Sequence, residues 1–257
     1  MTDYLHDLFS LTGRVALCTG GSSGIGRRMA LALARAGARV VLVARSPERL
    51  AEAEAEIAAA GGEAATLAAD LAEAAACADL VARAGGPFGA PDILVNAAGV
   101  NLREPAEAIT PESWDRTLAL NLSVPYFLAQ ACVPGMRGKG QGNIINIASL
   151  QSYRAFPNGA AYGASKGGIA QVTRAMAEAW SKDGIVANAI APGFFETALT
   201  AAVFADPERA ARNAAQTCIG RNGALEDLDG ATVFLASHAA AYITGQVLPV
   251  DGGYTAK

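Results

Sequence analysis

The amino-acid sequence predicts an α/β fold, a doubly wound parallel sheet in a single domain spanning residues 1–257, and three observations carry that prediction. Short β-branched runs alternate with longer Ala- and Leu-rich stretches of helical period. The short runs are apolar on both faces, which suits strands covered on both sides rather than strands with one wet face. No linker-like, low-complexity or repeated segment interrupts the alternation, and an apolar content of 52% provides for a sizeable core.

The elements follow in order. Residues 14–19 (RVALCT) read as the first strand and 25–36 as the helix after it. Residues 39–44 (RVVLVA) are the second strand; the next helix starts at Pro47, whose fixed φ suits a first turn, and stops at Gly61-Gly62. Residues 64–68 form a weaker strand, 71–84 a helix and 92–96 (DILVN) the fourth strand. A long helix follows Thr110-Pro111-Glu112, with Thr110 as cap and Pro111 in the first turn. Residues 143–148 (NIINIA) are the fifth strand, 160–182 a helix, 185–191 a strand, 226–237 a helix and 246–250 a last short strand. Residues 193–222 break the alternation and contain Phe194, Phe195 and Phe204. An excursion beyond a strand's carboxyl end serves ligand binding, so this one is expected to form a substrate-binding loop with helices.

Composition excludes several classes. A net charge of −4 without a basic block leaves no electrostatic footprint for nucleic acid. Apolar runs are broken by Gly, Pro or charge, short of the roughly 20 residues that span a bilayer. The start, Met1-Thr-Asp-Tyr-Leu-His-Asp, carries acids where a secretory signal carries basic residues, so a cytoplasmic address is expected. Cys18, Cys77, Cys132 and Cys218 lie far apart and read as small core residues. With His6 and His238 alone and no Cys/His cluster, no metal is expected.

Thr19-Gly20-Gly21-Ser22-Ser23-Gly24-Ile25-Gly26 joins the first strand to the first helix. Its glycines permit a sharp turn and close approach to a pyrophosphate, and the helix N-terminus supplies N–H donors. The end of the second strand decides which dinucleotide is held. An Asp or Glu there, about 20 residues past the glycines, bonds a free ribose 2′-hydroxyl. This chain has Ala44-Arg45-Ser46 instead, and the nearest acid, Glu48, lies beyond Pro47. A guanidinium clasps a 2′-phosphate bidentately, so NADP(H) is expected over NAD(H).

Tyr162 and Lys166 lie one turn apart on one face of a predicted helix. A nearby ammonium favours the phenolate and lowers a reference pKa of about 10, which suits a tyrosine for general acid/base work. Ser149 lies just past the fifth strand, where its hydroxyl can bond a substrate oxygen.

Together with Asn96-Ala97-Ala98-Gly99, Asn121 and Pro192-Gly193, these segments resemble the short-chain dehydrogenase/reductase family, of the compact type. The motifs run in order as far as Val250-Asp251-Gly252-Gly253, so the resemblance covers nearly the whole chain. It implies a Rossmann-like sheet of about seven parallel strands, commonly in a homotetramer or homodimer. It implies hydride transfer between nicotinamide and a small carbonyl/alcohol substrate. Tyr162 would exchange the proton, Lys166 would bond the nicotinamide ribose and hold the tyrosine's pKa down, and Ser149 would orient the substrate oxygen. Asn121 would position a water linking Lys166 to solvent. The implied cofactor contacts are Gly20, Ser22, Ser23, Gly24, Ile25, Gly26, Arg45, Ser46, Asp70, Leu71, Asn96, Ala97, Ala98, Gly99, Tyr162, Lys166, Pro192, Gly193, Phe195 and Thr197. Asp70 would contact the adenine and Thr197 the carboxamide. Two positions depart from the family pattern: Ala97 replaces a second asparagine, and Ser23 stands where many NADP-dependent members carry another basic residue.

Leu150, Gln151, Phe156, Phe194 and Phe195 predict an apolar substrate pocket, with Arg103, Gln151 and Arg154 as candidates to meet a polar or anionic group. The stretch Leu8-Phe-Ser-Leu-Thr-Gly-Arg14 resembles that of sugar-acid 5-dehydrogenases and of some β-ketoacyl reductases. The expected reaction interconverts a ketone or keto acid and a secondary alcohol with NADPH; an NAD-dependent sugar-acid or polyol dehydrogenase is the alternative. A cofactor-binding regulator would keep the glycine loop but shed Ser149, Tyr162 and Lys166. An extended epimerase or dehydratase would add a C-terminal substrate domain beyond the last strand.

Overall fold

A computed structural model describes residues 4–257. Along the chain run α1 (Tyr4–Phe9), β1 (Val15–Thr19), α2 (Gly24–Arg35), β2 (Arg39–Ala44), α3 (Pro47–Ala59), β3 (Glu63–Ala68), α4 (Cys77–Phe88), β4 (Ile93–Asn96), α5 (Pro111–Leu118) and α6 (Val124–Lys139). They are followed by β5 (Gly142–Ile147), α7 (Ala160–Trp180), β6 (Ile185–Pro192), α8 (Ala201–Phe204), α9 (Pro207–Gln216), α10 (Asp229–Ala236) and β7 (Val247–Val250). All seven strands pair in parallel, in the order β3-β2-β1-β4-β5-β6-β7.

Side-chain alternation decides the layers. Ala16, Cys18, Val40, Leu42, Ile93 and Val95 pack against α2, α3 and α10 on one face. Leu17, Val41, Val43 and Leu94 pack against α4, α6 and α7 on the other. Each such Val, Leu or Ile contributes about 1.5–3 kcal/mol by leaving water, so a strand apolar on both sides is held from both sides. The chain leaves β1 toward β2 on one flank and pairs it with β4 on the other, and the crevice at that reversal opens beyond the strands' carboxyl ends.

The cap expected at Thr110 forms, and Ser46 caps α3 as well. The Thr110 hydroxyl accepts from Ser113 N at 3.2 Å and the Ser46 hydroxyl from Arg49 N at 3.3 Å. Other expectations need correction. The helix expected over 71–84 begins only at Cys77, because residues 70–73 are drawn along the crevice. It then runs through Gly85-Gly86-Pro87 to Phe88, whose ring packs under the Arg39 guanidinium, 5.4 Å from its centroid. Leu225–Leu228 is a separate 3-10 turn before α10, and α1 was not signalled by the pattern. Met1, Thr2 and Asp3 lie outside the described residues, and Tyr4 to Asp7 belong to α1.

Contrary to the expectation from broken apolar runs, α5 and α6 join through a π-helical stretch, Ala119–Ser123, into one helix of 29 residues, Pro111–Lys139, which contains an 18-residue window of mean hydropathy 1.2. That is long and apolar enough to cross a membrane by length and composition. Its Val124, Leu128, Ala129, Cys132, Val133 and Met136 are instead spent on the sheet. Three cysteines are buried as expected, and burial pushes the Cys18 and Cys132 thiols up to about 12. Cys218 is not a core residue; it is exposed.

Candidate active site

A cleft of about 1010 Å³ opens at the carboxyl ends of the strands. At its centre the β1–α2 turn meets the end of β4. Gly20 sits at φ 66°, and a Cβ on it would stand 2.9 Å from the Ala97 carbonyl, so only glycine lets the two segments touch. The Thr19 hydroxyl accepts from Ala97 N at 3.1 Å and Ala98 N at 3.3 Å, fixing the second wall of the turn. Ser23 begins α2 without any side-chain cap, and Ser23, Gly24, Ile25 and Gly26 line the cleft. Uncapped first-turn N–H groups beside a glycine cradle suit a pyrophosphate.

The adenosine end is basic. Arg45, Ser46 and Arg49 line it together, while Glu48 turns away, its carboxylate accepting from the Ser46 hydroxyl at 2.8 Å. The carboxylate's bond to its own backbone N–H, and then that to Ser46, hold Glu48 below the usual carboxylate range. Arg49 escaped the sequence reading. It lies four residues beyond Arg45 in the first turn of α3, a position that could have signalled it, and adds a second cation to this end of the cleft. Asp70 and Leu71 face the same end, and Ala98, Gly99, Pro192, Gly193, Phe195 and Thr197 line the cleft further along.

Asn96 does not line the cleft. Its amide is buried among the strands, donating to Asn146 Oδ1 at 2.9 Å and to the Pro125 carbonyl at 3.2 Å. The amide thus ties β4 to β5 and α6.

Ser149, Tyr162 and Lys166 converge on the cleft. Ser149 accepts from Gln151 N at 3.1 Å, and its own N–H donates to the Ser152 hydroxyl, which in turn donates to the Lys166 carbonyl at 2.6 Å. The end of β5 is thereby locked to α7. Lys166 is 5% exposed and donates to the Ile147 carbonyl at 2.6 Å; burial pulls its pKa down to about 8. Burial holds the Tyr162 hydroxyl above its usual value, and the Ser149 side chain and the Arg103 charge draw it back. The ammonium, turned to Ile147, lies 5.5 Å from the centroid of the tyrosine ring.

Asn121 falls in the π-helical stretch, a feature that often marks functional positions. Its Oδ1 accepts from Val100 N at 2.9 Å, and its Nδ2 donates to the Val100 carbonyl at 2.8 Å and to Ser165 Oγ at 3.1 Å. Ser165 Oγ donates to the Tyr162 carbonyl at 2.7 Å. The Asn121 side chain holds the Val100 loop to the turn that carries Tyr162.

Leu150, Gln151, Phe156 and Phe194 line the substrate end, with Arg103 opposite. Phe156 and Phe194 rest on the buried Tyr254, at centroid distances of 6.3 and 5.6 Å. Arg154 stays outside the cleft, stacked over the Tyr254 ring at 5.5 Å, so it braces this floor rather than meeting a ligand. Arg103 adopts φ 56° and its guanidinium donates to the Leu199 carbonyl at 3.1 Å, tying the loop after β4 to the segment after β6. Asn101, Arg209 and Asn213 also line the cleft and were missed. The last two lie one turn apart on α9, inside the segment whose function was expected.

A dinucleotide cradle beside a serine, a tyrosine and a lysine on a doubly wound sheet defines a nicotinamide-dependent oxidoreductase. Residues 20–255 match the family described as enoyl-(acyl carrier protein) reductase. The gluconate 5-dehydrogenase of Gluconobacter oxydans (strain 621H) is 42% identical over 249 residues, covering 97% of each chain. The 2-dehydro-3-deoxy-D-gluconate 5-dehydrogenase of Escherichia coli (strain K12) is 40% identical over 97% of this chain and 98% of its own. The crystal structure of a gluconate 5-dehydrogenase from Burkholderia cenocepacia J2315 in complex with NADP and tartrate is 39% identical, with a TM-score of 0.94, over 99% of this chain and 100% of that chain. The chain belongs to the short-chain dehydrogenase/reductase family and is an oxidoreductase acting between alcohol and carbonyl groups.

Proposed function

We propose that this chain is an NADP(H)-dependent dehydrogenase of a hydroxylated acid, interconverting one secondary alcohol and its ketone. The observation that carries this reading is the convergence of Ser149, Tyr162 and Lys166 on a cleft where the Asn101 and Gln151 amide oxygens are buried without partners among the described residues and Arg103 adds positive charge. Unpartnered amides in a cavity are costly unless a ligand's hydroxyls satisfy them. The names of the Gluconobacter and Escherichia relatives, both sugar-acid 5-dehydrogenases, support the substrate class. NADP in the Burkholderia relative, and the pairing of Arg45 with Arg49 here, support the phosphorylated cofactor.

When bound, the nicotinamide supplies or accepts the hydride. Tyr162 gives a proton to the ketone oxygen or takes it from the alcohol, and Ser149 bonds that same oxygen. Lys166 presents its charge to the ribose side of the cleft. Asn121 and Asn96 act as positioning residues behind them. The segment 193–222 serves as the substrate-binding lid, in one domain with the sheet.

Trp114 and Phe127, exposed on the long helix Pro111–Lys139, support a homotetramer or homodimer. Free thiols at all four cysteines suit a cytoplasmic location.

The test follows nicotinamide absorbance while the protein meets D-gluconate, neutral polyols and simple secondary alcohols, with NADP and NAD in parallel. Turnover of the sugar acid, faster with NADP, is the expected result. Turnover confined to simple alcohols, or faster with NAD, would overturn the substrate class or the cofactor respectively.

A further inference from the structure

One wall of the cleft is used neither by the dinucleotide cradle nor by Ser149, Tyr162 and Lys166. Helix α9 is capped by Asp206, whose carboxylate accepts from Arg209 N at 3.0 Å, and it is anchored where Asn222 Nδ2 donates to the Ala210 carbonyl at 3.0 Å. From this helix Arg209 and Asn213 line the cleft. Asn213 is 9% exposed and is the one buried residue of α9. Its Nδ2 is enclosed and has no hydrogen-bond partner among the described residues. A helix that needed only an anchor there would fill the space with an apolar side chain, because a buried amide without a partner costs about 1–3 kcal/mol.

The charge pattern of the same helix points to the ligand's sign. Glu208 is drawn to Arg212, 3.5 Å away and one turn on, which leaves the Arg209 guanidinium without an ion pair among the described residues. The acids that line the cleft, Asp70, Glu73 and Asp115, stand on other elements: the first two follow β3 at the adenosine end, and Asp115 adjoins Arg116 on α5. Arg103, the other arginine near the substrate end, is engaged with the Leu199 carbonyl, and its charge is felt at Tyr162, so it belongs to the reacting end.

Building on the reading of this chain as a hydroxy-acid dehydrogenase, we infer that Arg209 and Asn213 form the subsite for the substrate's carboxylate. The guanidinium supplies charge and the amide one further N–H, together accepting the anionic end while the alcohol carbon lies at Tyr162. Specificity for an acid over its neutral counterpart thus resides on α9, inside the lid segment.

The experiment compares kcat/KM for two matched pairs, D-gluconate against D-glucitol and 4-oxopentanoate against 2-pentanone, in the wild-type protein, Asn213→Ala, Arg209→Ala and Arg209→Lys. NADPH affinity is measured alongside by nicotinamide fluorescence. The expected result is a preference for the anionic member that falls roughly tenfold to a hundredfold in Asn213→Ala and Arg209→Ala, chiefly through KM, with partial retention in Arg209→Lys and NADPH affinity within about twofold. A wild-type preference that survives both alanine variants overturns the subsite while leaving the hydroxy-acid reading intact. Weakened NADPH binding with an unaltered preference would assign the pair to the cofactor and likewise overturn it. A wild-type protein with no preference for either acid overturns the hydroxy-acid reading itself.

Discussion

The Lys166 ammonium donates to the Ile147 carbonyl at 2.6 Å. This bond joins the catalytic helix to the last residue of β5 and gives a buried charge its partner. The arrangement still costs stability, since burial lowers the amine's pKa from 10.5 to about 8.

That cost has a sign and a window. Below pH 8 the amine is charged in both folded and unfolded chains and the penalty is complete; between pH 8 and 10.5 the unfolded chain holds the extra proton, so stability rises with pH. A depression of that size corresponds to roughly 3 kcal/mol. Lys166→Met lacks the penalty, so the stability of the wild type relative to this variant should improve by about that amount from pH 7 to 10.5. Urea unfolding at both pH values checks it; a gap independent of pH would show that Lys166 is not buried as described.

Arg103 tunes Tyr162. Its charge draws down a phenol that burial holds up. Alcohol oxidation needs the phenolate, so its rate rises with pH through the tyrosine's pKa. In Arg103→Gln that rise should move to higher pH, while ketone reduction, which needs the phenol, keeps its rate further into alkali. Rate profiles in both directions measure the shift, and profiles that coincide with the wild type would remove Arg103 from this role.

Arg45 and Arg49 share the adenosine end of the cleft. Replacing Arg45 with Ala should weaken NADPH roughly tenfold to a hundredfold and leave NADH nearly unaffected; Arg49→Ala should do the same to a smaller degree. Equal losses for both cofactors, measured by fluorescence titration, would mean that neither arginine reads the phosphate.

Gly20 carries both a left-handed φ and a contact that excludes a Cβ. Gly20→Ala should lose about 1–2 kcal/mol of stability and bind NADPH far less tightly, because the turn must open to admit the methyl group. Normal binding with a lowered Tm would separate folding from the cradle.

Much of this was legible in the sequence because it rests on local rules. Strand and helix periods, the Thr110 cap and the glycine turn are written in neighbouring residues, and so is the one-turn spacing of Tyr162 and Lys166. What escaped depends on contacts distant in the chain. That the Asn96 amide ties β4 to β5 and α6 emerges only when Asn146 and Pro125 close on it. Arg154 reads as a ligand residue until Tyr254, from the far end of the chain, offers its ring. That the Arg103 charge reaches Tyr162 depends on the fold that brings the loop after β4 over α7. Asn213 gave no signal, since a lone asparagine on a polar helix looks solvated until the fold turns that face of α9 into the cleft.

The most direct measurement compares Tyr162→Phe with the wild-type protein, recording NADPH affinity and turnover on the same preparations. The variant should bind NADPH nearly as well but lose turnover by about 10²–10⁴-fold, because one proton donor has been removed and nothing else. Turnover within a few-fold of wild type would contradict this, because the proton would then have another source and the cleft another chemistry.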